Sequence, residues 1–225
     1  MGRTTTASSG PAPSRSVTRV IAEIERMIAT GELLPGQPIR QEWMAERLGV
    51  SRLPIREALR ELTAQGLVGH QHNAGYTVVR LDQGEFDQIY LMRSALEREV
   101  LTRLPRFDAA ALDEVRAIAV RITEAADHGD IVSMRTENQS FHFAMFERSG
   151  LHLVVAELRR LWKLAMPYHA AYLYDPAGRQ RVCGEHDAMI DALAEGDNTR
   201  LVELMDEHRR GGEANTGMIL GGGRP

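Results

Sequence analysis

The chain has 225 residues, 43% hydrophobic and 26% charged, an ordinary globular composition with enough length for one large or two small domains. A single cysteine, Cys183, excludes a disulfide framework and points to a reducing compartment. No window approaches 18 consecutive apolar residues and the first 16 residues hold no apolar run. Transmembrane and secretory readings are thereby removed, and a cytoplasmic protein with no membrane partner is expected.

The formal net charge of −4 conceals an asymmetry. Residues 1–80 hold ten Arg and seven Glu, a balance of +3, whereas residues 81–225 hold 17 basic and 24 acidic side chains, a balance of −7. Lys163 is the one lysine, so the positive charge is carried by Arg, whose planar fork suits phosphates and guanine edges.

Residues 1–16, rich in Thr, Ser and Pro, read as a disordered leader. Val17, Val20, Ile21, Ile24, Met27 and Ile28 then recur at helical spacing until Thr30-Gly31 stops them. Gln41 to Leu48 forms a short second helix, ended by Gly49-Val50. Ser51 serves as N-cap of a third helix with Pro54 in its first turn and Ile55, Ala58, Leu59 and Leu62 as its buried stripe. Leu67–His70 and Tyr76–Val79 are short β-like runs around His72-Asn73-Ala74-Gly75. The order helix, helix, tight turn, helix, hairpin over residues 17–80 is that of a winged helix-turn-helix DNA-binding domain.

From Asp82 onward only helical periods are found, with candidate spans 83–104, 108–128, 130–148, 151–174, 177–195 and 198–215. Residues 81–217 therefore read as an all-helical, six- to seven-helix antiparallel bundle, with a flexible tail over 218–225. The fold class is mainly α.

In a helix-turn-helix the recognition helix enters the major groove with its N-terminal residues at the base edges. Arg52 and Arg56 lie four apart on one face, opposite the apolar stripe, and are candidates for bidentate contacts to guanine. Ser51 and the helix start can hold a phosphate. Arg40, His72 and Asn73 complete the expected DNA-contacting set, the last two from the tip of the hairpin.

In the second half, His142, His186 and His208 each fall on the apolar stripe of a different helix. One such histidine is commonly a hydrogen-bonded core residue, but three pointing inward need a shared partner, for which a divalent metal is suited. Asn138, four before His142, places an amide oxygen on the same face. The N,N,N,O set suits Zn, with Ni or Mn as alternatives. Arg93 lies within the inner stripe of the first bundle helix, so it requires an anion, either an internal Glu such as Glu97 or a ligand carboxylate. His169, between Tyr168 and Tyr172, is a candidate for the lining of an effector pocket. Glu185 is next to His186 and is expected to point elsewhere, because adjacent helix residues diverge by about 100°.

The runs Gly31-Glu32-Leu33-Leu34-Pro35-Gly36, Leu48-Gly49-Val50-Ser51-Arg52-Leu53-Pro54-Ile55-Arg56-Glu57-Ala58-Leu59 and Gly66-Leu67-Val68 resemble the DNA-binding domain of the GntR family of bacterial transcription regulators. Asn138-Gln139-Ser140-Phe141-His142, Glu185-His186 and His208 resemble the metal-binding pattern of the FadR-type C-terminal domain, FCD, that accompanies it. Asn138 departs from the Asp frequent in that pattern, which leaves the metal's identity open. The resemblance implies a homodimer on a short operator palindrome, a divalent metal, and a small organic acid bound near it that would supply the anion for Arg93. It implies a regulator, a repressor relieved by its ligand, and no enzyme activity. Alternatives are a sensor of the metal itself, a metal-dependent hydrolase, and a metal-free acyl-ligand sensor in which the histidines only hydrogen-bond.

Overall fold

The computed structural model describes residues 14–71, 75–168, 173 and 175–221, the last nine of these by backbone alone. The chain divides into two compact units, Met1–Ile28 with Glu32–Val79, and Ala29–Gly31 with Arg80–Pro225.

In the first unit, α1 (Arg15–Ala29) buries Val17, Val20, Ile24, Met27 and Ile28. It begins inside the stretch expected to be a disordered leader, because Ser14 caps it: the Val17 amide donates to Ser14 Oγ at 3.4 Å and the Thr18 amide to the Ser14 carbonyl at 3.0 Å. Helix α2 (Gln41–Leu48) buries Met44 and Ala45 and ends on Gly49, whose φ of +63° is costly for any residue with a Cβ. Helix α3 (Arg52–Ala64) buries Ile55, Ala58, Leu59 and Leu62. Ser51 occupies the N-cap position in extended conformation, but its hydroxyl makes no capping bond. The wing is a three-stranded antiparallel sheet of order β1-β3-β2, from β1 (Pro38–Ile39), β2 (Val68–Gln71) and β3 (Gly75–Val78). Strand β1 was not expected, since two residues carry no periodic signal; it pairs Ile39 with Tyr76 along the free edge of the hairpin.

The second unit consists of α4 (Gln83–Thr102), α5 (Ala109–His128), α6 (Ile131–Phe146), α7 (His152–Ala165), α8 (Pro176–Glu195) and α9 (Asn198–Gly221), with 3-10 turns at Glu147–Ser149 and Met166–Tyr168. A capping box between Asp82 and Glu85 starts α4, and Asp108, Asp130 and Asp175 cap α5, α6 and α8. Helix α5 packs on α6 and α8, α4 on α7 and α9, and α8 on α9. Two expectations fail here. Helix α7 stops at Ala165 rather than running to 174, because Pro167 has no N–H for the helical ladder. The α9 backbone stays helical through Gly221, past the residue 218 at which the tail was placed. The inner stripes of α6, α8 and α9 converge on one core that includes Met134, Phe141, Phe146, Val182, Met189, Leu201 and Met205.

Candidate metal centre and DNA-reading face

Three helices each deliver one imidazole to the same point of this core. His142 follows Phe141 on α6, His186 lies between Cys183 and Met189 on α8, and His208 continues the Leu201/Met205 stripe of α9. They are 0%, 1% and 9% exposed, and one nitrogen from each lies within 4.8 Å of the other two. His142 Nε2 and His208 Nε2 are 3.2 Å apart. The Phe141 ring stacks on His186 at 4.2 Å between centroids, and Trp162 of α7 closes the side of His142 at 5.1 Å.

His186 is the chemically informative member. Both of its ring nitrogens are buried without a hydrogen-bond partner, an arrangement that costs about 1–3 kcal/mol for each unsatisfied polar group. Burial, and after it the neighbouring His208, push its pKa well below the usual imidazole range, so the ring is neutral and offers a lone pair. Asn138 Oδ1, one turn before His142, is likewise buried without a partner. Three buried imidazole nitrogens are a donor set for a first-row divalent ion, and such an ion would satisfy one of the two orphaned nitrogens of His186, with the Asn138 amide oxygen one turn from His142 as a candidate fourth donor. Among the described residues this is the one group of three or more His, Cys, Asp or Glu side chains so arranged.

Glu185 turns away from His186, as its divergence from that neighbour predicts, but it reaches another member of the cluster. Its Oε2 accepts from His208 Nδ1 at 2.6 Å across the α8–α9 interface, and its Oε1 accepts from Arg181 at 2.5 Å. The 100° between neighbours turns it away from His186 but toward the next helix. Burial raises its pKa, but the bonds to His208 and Arg181 outweigh burial and hold the carboxyl below its ordinary value.

Beside the histidines lies a buried charge network that links α4, α7 and α9. Glu97, fully buried, accepts from Arg93 Nε at 2.9 Å, Trp162 Nε1 at 2.9 Å and Arg209 Nη1 at 3.0 Å. Arg209 also donates to Ser94 at 2.9 Å and pairs with Asp206. The Arg93 guanidinium lies 4.2 Å from the Trp162 ring centroid. The anion that Arg93 requires is therefore Glu97. Arg209 was not expected inside, although Leu201, Met205 and Arg209 recur every four residues along α9, a spacing that puts a further buried charge on that stripe.

In the N-terminal unit, Arg52, Arg56 and Arg60 recur every four residues and are all exposed along one face of α3. Arg52 pairs with Glu42 of α2 at 3.1 Å. Among the described residues, Arg40, Arg56 and Arg60 have no carboxylate partner, whereas Arg26 and Arg47 are held by Glu23 and Glu32. Arg60 was not among the expected contacts because base edges are expected at the first two turns of the helix, and it lies one turn beyond them. The Ser51 hydroxyl, not engaged in capping, adds a donor at the start of α3. The expected His72, Asn73 and His169 lie outside the described residues. No described helix is long and apolar enough to cross a membrane.

Residues 16–78 match the family model described as bacterial regulatory proteins, gntR family, and residues 88–211 match the FCD domain. The chain is 25% identical over 194 residues to the HTH-type transcriptional regulator McbR of Escherichia coli, a match that spans 83% of this chain and 87% of that protein. It is 30% identical over 190 residues, 80% of each chain, to a protein of Paenarthrobacter nicotinovorans named "Probable D-xylose utilization operon transcriptional repressor". The solved structure of E. coli McbR/YncC superposes with a TM-score of 0.82 at 22% identity, over 92% of this chain and 99% of that one.

Proposed function

The chain belongs to the GntR family of bacterial regulatory proteins and carries an FCD domain, and on that premise we propose that Asn138, His142, His186 and His208 hold a divalent metal at which a small carboxylate effector controls operator binding. The family is one of transcription regulators, not enzymes. The observation that carries the reading is His186, fully buried with neither ring nitrogen hydrogen-bonded, beside two further imidazoles. Zn suits the donor set best, with Ni or Mn as alternatives. When bound, such an ion supplies a Lewis-acidic centre with coordination positions left for a carboxylate.

The protein's own residues account for the rest. Trp162 touches both the His142 ring and Glu97, so the charge network borders the centre. Arg93 is the cation for an effector carboxylate, Glu97 the anion it would exchange, and His169 a further lining residue. Arg52, Arg56, Arg40 and Ser51 contact the operator, assisted by His72 and Asn73 at the wing tip. Two copies of the chain, as a homodimer, read a short palindrome. An effector shifts the operator equilibrium only as far as its affinity differs between the DNA-bound and free states.

A metal-free site in which the histidines satisfy one another is disfavoured by His186, which has no such bond. A hydrolase is disfavoured because Glu185, the carboxylate nearest the cluster in sequence, is engaged by His208 and Arg181. Elemental analysis of the purified protein should find about one divalent ion per chain. Zn2+ at about 100 times its Kd should stabilise the fold by about 2.7 kcal/mol, and His142→Ala with His186→Ala should abolish that gain. Absence of both uptake and stabilisation in wild type would remove the metal centre. A panel of hydroxy, keto and sugar acids, tested by operator-binding titration with and without metal, identifies the effector class.

A further inference from the structure

A metal-bound histidine must present one nitrogen with a free lone pair, and which nitrogen this is depends on what the other one bonds. His208 faces two ways. Its Nε2 is on the side of His142, 3.2 Å from that ring's Nε2, and its Nδ1 is 2.6 Å from Glu185 Oε2. A carboxylate only accepts, so the Nδ1 position carries the proton and the Nε2 lone pair is turned toward the cluster.

The carboxylate is itself clamped. Arg181, one turn earlier on α8, donates to the other oxygen, Oε1, at 2.5 Å, so both Glu185 oxygens are engaged and the carboxylate plane is fixed. The space that Arg181 occupies is provided by α9. A Cβ added at Gly211 would overlap Arg181 Nη1 and lie 2.9 Å from its Cζ. Glycine is disfavoured inside a helix, and here its missing side chain is what lets the guanidinium lie between α8 and α9. Arg181 and Gly211, which neither the apolar stripes nor any motif singles out, thus join Glu185 in one chain of contacts that ends on the His208 imidazole.

We propose that Glu185 is the positioning residue of the metal centre, holding His208 as its Nδ1–H tautomer with Nε2 directed at His142 and His186, and that Gly211 is required so that Arg181 can fix Glu185. This rests on the metal reading above for its consequence, but its geometry belongs to the chain alone.

Two measurements test it. In metal-free protein labelled with 15N-histidine, long-range nitrogen–proton correlation should show His208 protonated on Nδ1 in wild type, and that tautomer should be lost in Glu185→Ala. The nearly isosteric Glu185→Gln guards against misfolding. Zn2+ affinity, measured by competition with a chromogenic chelator, should fall about 10- to 100-fold in Glu185→Ala. Gly211→Ala should lower it in the wild-type background and leave it unchanged in Arg181→Ala, where the obstructed group is gone. His208 protonated on Nε2 in wild type would overturn the proposal, as would a Gly211→Ala loss of equal size with and without Arg181. If wild-type protein takes up no Zn2+, the metal reading fails, and the tautomer measurement then decides the positioning role by itself.

Discussion

Removing the carboxylate of Glu97 tests the buried charge network most directly. The side chain is fully buried and accepts three hydrogen bonds, from Arg93, Trp162 and Arg209, at 2.9 to 3.0 Å. Glu97→Ala leaves two guanidinium groups, 4% and 8% exposed, without their shared anion. Arg209 keeps Asp206 and Ser94, and Arg93 keeps its stacking on Trp162, so compensation is partial. Breaking a buried pair from one side costs about 3–5 kcal/mol, and the indole N–H of Trp162 also loses its acceptor. At about 2–4 °C per kcal/mol for a protein of this size, the melting temperature should fall by about 6–20 °C. Glu97→Gln, which retains one acceptor oxygen and the shape, should lose about 1–3 kcal/mol. Replacing Arg93, Glu97 and Arg209 together by apolar residues should cost less than Glu97→Ala alone, because no guanidinium is then left buried without the Glu97 carboxylate. Urea denaturation followed by far-UV circular dichroism, in parallel with thermal melts, measures all three. A Glu97→Ala variant within about 1 kcal/mol of wild type would show that these guanidinium groups do not depend on Glu97.

Two further outcomes follow from the same geometry. In chelator-treated protein, the folded His186 stays neutral where the unfolded one protonates, so between the two pKa values the unfolded state binds one more proton. Stability should therefore rise with pH by about 1.4 kcal/mol per unit up to about pH 6.5 and then level off; urea midpoints between pH 5 and 8 that do not change would refute a neutral buried His186. On the reading face, Arg56→Ala should cost about 1–3 kcal/mol and relax discrimination at one base pair, whereas Arg60→Ala should weaken operator and random DNA alike and reduce the salt slope by about one. Equal effects of the two substitutions on random DNA in an anisotropy titration would contradict the division between base-reading and phosphate-binding turns.

Much of the architecture was legible because it is written in local chemistry. The three- and four-residue spacing of Val17, Val20, Ile24 and Met27, and of Ile55, Ala58, Leu59 and Leu62, fixes which face of each helix is buried. The glycines after α2, α5 and α8 fix where those helices end. The same periodicity suffices to turn His142, His186, His208 and Arg93 inward, with no tertiary contact invoked. Pro167 marks the end of α7, but the apolar run around it masks that signal, and β1 is too short to leave a pattern.

The sequence by itself determined that three imidazoles and a guanidinium point into one helical core, because helical period is a property of each segment alone. Only the tertiary structure decided which groups meet there. Glu185 reaches His208 across two helices, Glu97 gathers Arg93, Trp162 and Arg209 from three, and Gly211 on α9 makes room for Arg181 on α8. Those contacts depend on the register and rotation of one helix against another. That is set by the packing of the whole core and by no single stretch of the chain.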